Sequence, residues 1–470
     1  MSHFLKIFLL LSLFCFVAKA QVYNDATLSR VRQQDSIARV GGKLPALAPA
    51  EHLYRAEVYF SNRAFPEARE HAARILENYP NDPATQRATF ILGRSFMWER
   101  QYDLAVTFLD EAARKFPGTK DGREALAFKG ACLVRLGKSV EGARAYEQYV
   151  VMYPAGERVE SSYLNIIDAY REGGKNKEAL DWVAKIRQKF PRTATETNAV
   201  FAQLRLQIGQ KNWQQAANTA DELRRLRFVK GVMTNVDEAT FLKAYALEKA
   251  GRKDEAASWY LMIPDNLNSY YGALATERLQ NLVKDAADSR RAAILNRQAS
   301  VKAAAVSVLD QYPAPFQADL LREATSRRVD PRFLLAIMKQ ESSFKTNAKS
   351  PAAARGLLQM TVDTAARYTR QAKLNVLQPE DLYKPGVNIA LGSVYVAELQ
   401  KEFPNLPEAV AASYNGGEDN AARWLKRADS KEPFIFTSEV GFAETKDYVF
   451  KVLTNYRVYR ELYTEDLRRR

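Results

Sequence analysis

One carboxylate, that of Glu341, stands at the end of an apolar segment whose composition suits proton transfer. Asp330 can cap the N-terminus of a helix there, and Pro331 fits the first helical position. The run from Phe333 to Met338 is apolar throughout, which leaves little room for a solvent-facing side. The pattern therefore predicts a short buried helix over residues 330–342, with Glu341 in its last turn.

In that position Glu341 has a particular chemistry. The negative end of the helix dipole and an apolar surrounding both disfavour a charged carboxylate, so both raise its pKa. A carboxyl group that keeps its proton near neutral pH can act as a general acid. The alternative is an ordinary surface glutamate at a frayed helix end, and the sequence after Glu341 decides between the two interpretations.

The placement of histidine excludes several kinds of catalysis from the C-terminal half of the chain. The three histidines are His3, His52 and His71, so none follows residue 71. A Ser-His-Asp or Cys-His mechanism, or a zinc site with histidine ligands, is therefore excluded there. Catalysis in that half has to depend on carboxylates, tyrosines, lysines or backbone groups.

A repeat with a period of 37 residues precedes this region. Self-similarity of this kind is typical of an α-solenoid, in which each helix pair buries its apolar face against neighbouring pairs. The pattern resembles tetratricopeptide repeats and covers residues 50–280. Its markers are prolines that follow an aromatic residue (Pro80, Pro117, Pro154, Pro191) and small residues at the same spacing (Ala68, Ala105, Gly142, Ala179, Ala216).

The first residues of the chain predict export. Lys6 precedes an apolar run, and Ala18-Lys19-Ala20 is a small-x-small cleavage site, so residues 1–20 are expected to be a cleavable signal peptide. That run is too short to span a bilayer, and no later stretch is long and apolar enough to do so. We expect a soluble exported protein.

Charge and cysteine content narrow the function further. The formal net charge is +14, and a basic exported protein can be drawn to anionic polymers or membranes. Nucleic acid is not an expected partner, because the chain is exported and carries no recognisable binding motif. Only Cys132 follows the signal peptide, so an internal disulfide is excluded.

The last domain is expected to begin near Pro313, because Pro313 and Pro315 interrupt a helical pattern. The predicted divisions are 1–20 (signal peptide), 21–49 (N-terminal segment), 50–280 (solenoid), 281–312 (helical linker), 313–465 (last domain) and 466–470 (basic tail).

Four motifs follow one another in the last domain. They are ESSF at 341–344 with AKS at 348–350, ARGLLQM at 354–360, AASYNGG at 411–417 and GFAETKDYV at 441–449. In this order, behind a signal peptide and a helical solenoid, they resemble the lytic transglycosylases of the soluble, Slt-type family. The resemblance covers residues 313–465 and implies an all-α protein with a TPR-like solenoid and a lysozyme-like catalytic domain.

The resemblance also implies a reaction. Such enzymes cleave the β-1,4 bond between N-acetylmuramic acid and N-acetylglucosamine in peptidoglycan without water, and they leave a 1,6-anhydro end. Glu341 matches the single catalytic acid and base of the family. The N-acetyl oxygen of the substrate can stabilise the developing positive carbon, which removes the need for a second carboxylate.

By the same resemblance, other motif residues take supporting roles. Ser350 and Gln359 would bond sugar amides and hydroxyls, and Tyr414 would lie close to Glu341 and help set the position of its proton. The further matches are Asn415, which completes a turn, Tyr395, a cleft tyrosine, and Glu444, an acidic residue that shapes the cleft. For Tyr395 and Tyr448 the alternative is an aromatic ring packed in a helical core.

Three departures from the family pattern are visible. Ala353 stands where members commonly have Gly, Leu358 where they have Met, and Thr361-Val362 where they have Met-Pro. The first could strain a turn that needs positive φ. Because Glu341, Gln359 and Tyr414 are unchanged, we expect altered preference and retained activity.

Two other functions stay open at this point. A hydrolytic muramidase on the same fold would leave reducing ends, and a solenoid adaptor would bind glycan without cleaving it. The expected partners are peptidoglycan glycan strands, with cell-wall proteins as further partners of the solenoid, which we expect to act mainly as a scaffold. The expected compartment is the periplasm, and no metal or organic cofactor is indicated.

Overall fold

Helices account for the regular structure of the protein. The computed structural model describes residues 23–285, 288–375 and 377–470, and the predicted signal peptide at residues 1–20 lies outside these ranges. Within them, β pairing is confined to isolated bridges, which confirms the all-α class. None of the helices in the described ranges has the combination of length and apolarity that crossing a membrane requires.

In chain order the α-helices are α1 (Asp25–Ala38), α2 (Pro49–Ser61), α3 (Phe65–Asn78), α4 (Ala84–Trp98), α5 (Tyr102–Lys115), α6 (Lys120–Arg135), α7 (Ser139–Met152), α8 (Val159–Glu172), α9 (Asn176–Lys189), α10 (Ala194–Gly209), α11 (Trp213–Arg225), α12 (Val236–Lys249), α13 (Lys253–Leu261), α14 (Tyr270–Leu282), α15 (Arg290–Ser307), α16 (Gln317–Arg327), α17 (Pro331–Ser342), α18 (Val362–Ala366), α19 (Pro385–Glu402), α20 (Pro407–Gly416), α21 (Glu418–Ala428), α22 (Pro433–Glu439) and α23 (Ala443–Leu462). The 3-10 helices are Leu309–Gln311 and Pro379–Tyr383.

The small residues of the repeat lie where paired helices approach each other most closely. Ala68, Ala105, Ala179 and Ala216 are completely buried in the second helices of their pairs. At Gly142 an added Cβ would lie 2.9 Å from the carbonyl oxygen of Gly130 on the preceding helix. The close approach predicted from the sequence is thus confirmed.

The repeated prolines end the second helices, as the sequence predicted. Helices α3, α5, α7 and α9 each stop two residues before Pro80, Pro117, Pro154 and Pro191, respectively. A proline at that distance cannot supply the backbone N–H that a longer helix would need. The chain then turns into the first helix of the next pair.

Residues 313–470, here called the C-terminal domain, pack around helix α17. The six residues from Phe333 to Met338 are at most 2% exposed, so the short buried helix predicted from the sequence is confirmed. Helix α17 packs against α23, which carries the fourth motif, and against α16. This packing brings residues about 100 positions apart in sequence to one site.

Helix α15 connects the two hydrophobic cores. Ile294 packs with the last helices of the solenoid, whereas Ala305 packs with the core of the C-terminal domain. One helix therefore shares its buried face between both parts, which makes it a packed connection.

Polar residues at the ends of the first helices hold the C-terminal domain at intervals of 33 to 37 residues. This series is here called the seam. Because the same repeat spaces both the helices and these contacts, successive solenoid units each contribute a bond. The residues are Arg63 (to Asp363), Arg100 (to Asp419), Arg135 (to Asn420), Arg171 and Arg205 (both to Glu439) and Glu238 (to Lys446).

Glu439 is a buried carboxylate of the seam that pairs with several arginines, and 3% of its surface is exposed. It pairs with Arg171 at 2.6 Å, Arg205 at 2.9 Å and Arg427 at 2.6 Å. Burial by itself would raise its pKa, but the three guanidinium charges outweigh burial and hold the pKa of Glu439 well below its usual range. Glu439 is therefore ionised, and it compensates three buried cations.

We expect Glu439→Gln to destabilise the protein by about 3 kcal/mol, because removal of one member of a buried ionic cluster leaves uncompensated charge. Urea unfolding at neutral pH measures this effect. Glu255→Gln, which removes an exposed ion pair with Arg252, is the control and should leave the midpoint nearly unchanged. Equal midpoints for both variants would contradict the role assigned to Glu439.

Candidate active site

Glu341 is placed by the capping of helix α17 at both ends. The Asp330 carboxylate accepts a bond of 2.9 Å from the backbone N–H of Arg332, which begins the helix. At the other end Ser343 adopts a left-handed conformation, with φ of 47°. The Ser342 hydroxyl donates to the carbonyl oxygen of Leu357 at 2.8 Å, so the first motif is bonded to the second.

The surroundings of Glu341 favour its protonated form near neutral pH. Burial raises the pKa of this half-buried side chain to about 7; a hydrogen bond from Tyr448 works in the opposite direction, and the negative charge of Glu444 adds to the rise. The direction agrees with the expectation from the sequence. A carboxyl with this pKa is populated both as acid and as base near pH 7, which suits proton transfer in both directions.

Tyr448 is the residue that bonds directly to Glu341. Its hydroxyl donates to Glu341 Oε1 at 2.8 Å. A donor at this oxygen stabilises the carboxylate form and fixes the orientation of the carboxyl group. Burial and the negative charge of Glu341 raise the pKa of Tyr448 well above its ordinary value, so Tyr448 keeps the proton that it donates.

Tyr414 bonds to the backbone of the second motif and lies near Glu341. Its hydroxyl donates to the carbonyl oxygen of Leu358 at 2.7 Å. Burial, followed by the charge of Glu341, raises the pKa of Tyr414, so the ring lies within electrostatic reach of the carboxyl. The Tyr414 hydroxyl therefore stabilises the backbone of the second motif. The hydrogen bond to Glu341 comes from Tyr448.

Tyr395 lies in a buried stack of aromatic rings. Its centroid is 5.1 Å from that of Tyr414 and 5.4 Å from that of Tyr368. With 5% of its surface exposed, it supports Tyr414 by packing. This placement agrees with the core alternative considered for Tyr395.

A turn with unusual backbone geometry carries Ser350 and Gln359. The Gln359 side-chain NH₂ donates to the carbonyl oxygens of Ala348 at 3.1 Å and Gly356 at 2.8 Å, and the Ser350 hydroxyl accepts from the Ala354 N–H at 3.1 Å. Both side chains therefore shape the turn itself. The hydroxyl of Ser350 and the amide oxygen of Gln359 are the groups left to bond a ligand.

Two of the family departures have a structural consequence in this turn. Ala353 has φ of 59° and is completely buried, so it carries the strain expected of alanine in place of glycine, of the order of 1 kcal/mol. Leu358 covers Gly392, where an added Cβ would lie 2.3 Å from Leu358 Cδ1. A side chain at position 392 would therefore require Leu358 to shift.

Asn388 organises this turn, although the sequence analysis did not select it as a site residue. Its side chain accepts from the Leu358 N–H at 2.7 Å and donates to the carbonyl oxygens of Arg355 at 2.9 Å and Leu382 at 2.8 Å. It satisfies three backbone groups that no helix can pair. An asparagine inside a predicted buried helix was the available signal, since such a residue needs polar partners.

Asn415 and Glu444 lie on two different helices, and the charge of Glu444 acts on Glu341. The Asn415 side-chain oxygen accepts from the Thr445 hydroxyl at 2.6 Å, which ties the end of α20 to the start of α23. Glu444 is exposed in the first turn of α23, four residues before Tyr448. That helical spacing puts Glu444 and Tyr448 on one face, and it could have identified Tyr448 as a partner of Glu341.

No group of three or more His, Cys, Asp or Glu side chains in the described part of the chain has the arrangement of a metal site. The groups that the structure places at the site are the Glu341 carboxyl with its raised pKa, the Tyr448 hydroxyl that bonds to it and the nearby charge of Glu444.

Comparisons with known protein families match both parts of the chain. Residues 320–436 match the family described as Transglycosylase SLT domain. Residues 37–83, 55–119 and 201–270 match the family described as Tetratricopeptide repeat. The chain thus contains regions similar to tetratricopeptide repeats, followed by a region similar to transglycosylase SLT domains, and the resemblance stated from the four motifs is confirmed.

Among curated proteins, a soluble lytic murein transglycosylase of Escherichia coli K12 is 29% identical over 154 residues, which are 32% of this chain and 24% of that protein. A membrane-bound lytic murein transglycosylase C of Salmonella arizonae is 31% identical over 163 residues, 30% of this chain and 45% of that protein. The chain thus spans less than half the length of these relatives. A solved structure of lytic transglycosylase Slt from Pseudomonas aeruginosa aligns with 92% of this chain and 88% of its own, at 18% identity and a TM-score of 0.49.

We expect Tyr448→Phe to raise the pKa of Glu341 further above 7, by about 1, because the variant removes the hydrogen bond that favours the carboxylate. A ¹³C NMR titration of labelled glutamate carboxyl groups measures this value. Tyr395→Phe is the control, since Tyr395 is likewise a buried tyrosine of the C-terminal domain, 5% exposed as Tyr448 is, and its hydroxyl has no bond to Glu341 among the described contacts. An unchanged pKa in Tyr448→Phe would show that the bond does not act on the acid.

The raised pKa of Glu341 also predicts a dependence of stability on pH. Because folding favours the protonated form, ionisation opposes folding, and stability present at low pH is lost as the pH rises towards about 7. We expect Glu341→Gln to raise the free energy of unfolding at pH above 7 by at most about 3 kcal/mol and to change it little near pH 4. Urea unfolding at both pH values tests this, and a gain of equal size at both would be inconsistent with it.

Proposed function

We propose that this protein is a peptidoglycan lytic transglycosylase that works in the periplasm. The observation that supports this best is the Glu341 carboxyl, with a pKa of about 7 and a bond from Tyr448, at the end of a buried helix in an SLT domain. The relatives named above are lytic murein transglycosylases, and murein is the substrate that their names give.

In the first step Glu341 donates its proton to the oxygen of the bond between N-acetylmuramic acid and N-acetylglucosamine. That C1–O4 bond breaks, and the proton goes to the departing 4-hydroxyl. The carboxylate that forms on Glu341 is stabilised by the Tyr448 hydroxyl, which donates to the same side chain. The N-acetyl oxygen of the substrate supports the positive charge that develops at C1.

In the second step Glu341 accepts a proton from the C6 hydroxyl of the muramic residue, while that oxygen attacks C1. The C6–O–C1 bond closes the 1,6-anhydro ring, and Glu341 returns to its acid form. One group can serve in both steps because its pKa lies near the working pH. Ser350, Gln359, Asn415 and Glu444 are the proposed contacts to the sugars, with Tyr395 and Tyr414 behind them.

A hydrolytic muramidase is the second candidate, and Glu444 is the reason to retain it. The charge of Glu444 contributes to the raised pKa of Glu341, so a second carboxylate is within electrostatic reach. An inverting or retaining glycosidase needs such a pair. Glu444 is exposed in the first turn of α23, and the products of digestion distinguish the two candidates.

The proposed role of the solenoid is that of a scaffold around the catalytic domain. The seam commits the ends of six first helices to the C-terminal domain. We further propose that cell-wall proteins dock on the other surfaces of the solenoid.

We expect Glu341→Gln to abolish cleavage of purified peptidoglycan while wall binding is retained, and the wild type to release 1,6-anhydromuramic products. The wild-type kcat/KM should fall as the pH rises above about 7, because Glu341 then loses its proton. Mass spectrometry of the digest identifies the products, and a pH series of initial rates gives the profile.

Glu408→Gln is the matched control for this test. Glu408 is also a buried glutamate with a pKa raised to about 7 by burial, but it bonds to Tyr270 of the solenoid at 3.2 Å. This variant should cleave at close to the wild-type rate. Reducing ends in place of anhydro ends would favour the muramidase, and binding without cleavage by the wild type would favour an adaptor.

A further inference from the structure

The segment from Lys349 to Asp363 carries both Ser350 and Gln359, and it has little regular structure. Three of its residues, Ala353, Gly356 and Gln359, have positive φ. A backbone with several such residues keeps its shape only where its surroundings hold it. The contacts that hold this segment therefore decide where Ser350 and Gln359 lie.

Asp25, the first residue of helix α1, makes the most important of these contacts. Its carboxylate accepts from Arg355 Nη2 at 2.5 Å, from Lys349 Nζ at 3.1 Å and from the Tyr383 hydroxyl at 2.7 Å. Helix α1 and the 349–363 segment are more than 300 residues apart in sequence. One carboxylate at the start of the described chain thus bonds three side chains around the proposed substrate site.

Loss of the contact with Asp25 would leave Arg355 without its counter-ion. Arg355 is completely buried, and among the described residues Asp25 is the one carboxylate that forms an ion pair with it. Its other guanidinium nitrogen, Nη1, donates to the carbonyl oxygen of Ala353 at 2.6 Å, inside the turn. A buried guanidinium without its counter-ion is costly enough to drive the turn into another arrangement.

Two neighbouring residues at the end of helix α2 hold the same segment. The Asn62 side-chain oxygen accepts from Lys349 at 3.1 Å and from Arg355 at 3.3 Å. Arg63 donates through Nε and Nη2 to both oxygens of Asp363, at 2.7 and 2.8 Å. Residues of helix α1 and at the end of helix α2 therefore bond to the segment at both of its ends.

We propose that Asp25 is a positioning residue of the substrate site, acting through Arg355 on the turn that presents Ser350 and Gln359. This inference rests on the proposed function. It gives helix α1, in the N-terminal segment, a part in shaping the substrate site. It also separates two tasks: Glu341 transfers the proton with the support of Tyr448, whereas Asp25 keeps the sugar contacts in position.

The acid itself does not depend on Asp25. Glu341 and Tyr448 lie on α17 and α23, which pack on each other inside the C-terminal domain. Loss of Asp25 should therefore weaken substrate binding and leave the proton-transfer step largely intact. That distinction separates positioning from a general loss of structure.

The test compares Asp25→Asn with Asp265→Asn in the full-length mature protein. Asp265 also joins the solenoid to the C-terminal domain, through Arg457 at 2.7 and 3.1 Å, but its contact is on α23 away from the 349–363 segment. Initial rates are measured on soluble un-crosslinked glycan strands. Hydrogen–deuterium exchange is followed in peptides that cover residues 349–363.

For Asp25→Asn we expect KM to rise by about tenfold with kcat within about twofold of wild type. Exchange in the 349–363 peptides should become faster. Asp265→Asn should leave both KM and the exchange of these peptides unchanged. Asp25→Glu should have a KM close to that of the wild type, because this variant keeps the charge. An unchanged KM and unchanged exchange in Asp25→Asn would overturn the proposal, as would an equal effect of Asp265→Asn on the same peptides.

The exchange measurement also separates this proposal from the proposed function. If the wild type cleaves no glycan, the function is wrong, while exchange in residues 349–363 still decides whether Asp25 holds the segment. If the wild type cleaves and Asp25→Asn behaves like the wild type in both measurements, only the positioning role is lost.

Discussion

Burial of one carboxyl group, opposed by one hydrogen bond, is the constraint on which the site depends. Apolar packing around helix α17 raises the pKa of Glu341, and the bond from Tyr448 limits that rise. A fully apolar pocket would leave an acid too weak to give up its proton, whereas an open surface would leave it ionised. The arrangement holds the pKa of Glu341 at about 7, so that the carboxyl can both donate and accept a proton near neutral pH.

The remaining structure serves this balance by holding one irregular turn and the ends of two helices in place around Glu341. Asn388 satisfies the turn that carries Gln359, and Tyr414 bonds the carbonyl oxygen of Leu358 in the same turn. Thr445 bonds the end of α20 to the start of α23, and α23 is the helix that carries Tyr448. Each is a polar contact to backbone or to a helix end, where secondary structure provides no partner.

The solenoid contributes through charge as much as through shape. Its repeat places a polar residue against the C-terminal domain in six successive helix pairs, and Glu439 in that seam compensates three arginines. Pairs of this kind are worth little on an exposed surface, but when buried they penalise any displaced arrangement. The solenoid therefore determines the position of the C-terminal domain, and the end of helix α2 contacts the proposed substrate site.

Local pattern in the sequence determined the helices, the repeat and the acid. The apolar run before Glu341, the prolines after aromatic residues and the spaced alanines act over a few residues or one repeat, and the structure bears them out. Tyr448 as the partner of Glu341, Asn388 in the turn and Asp25 on Arg355 were decided only by the tertiary structure. These contacts join residues 30 to 330 positions apart. Because hydrogen bonds require atoms within about 3 Å, their partners depend on how the helices pack, and packing at that precision is not written in local sequence pattern.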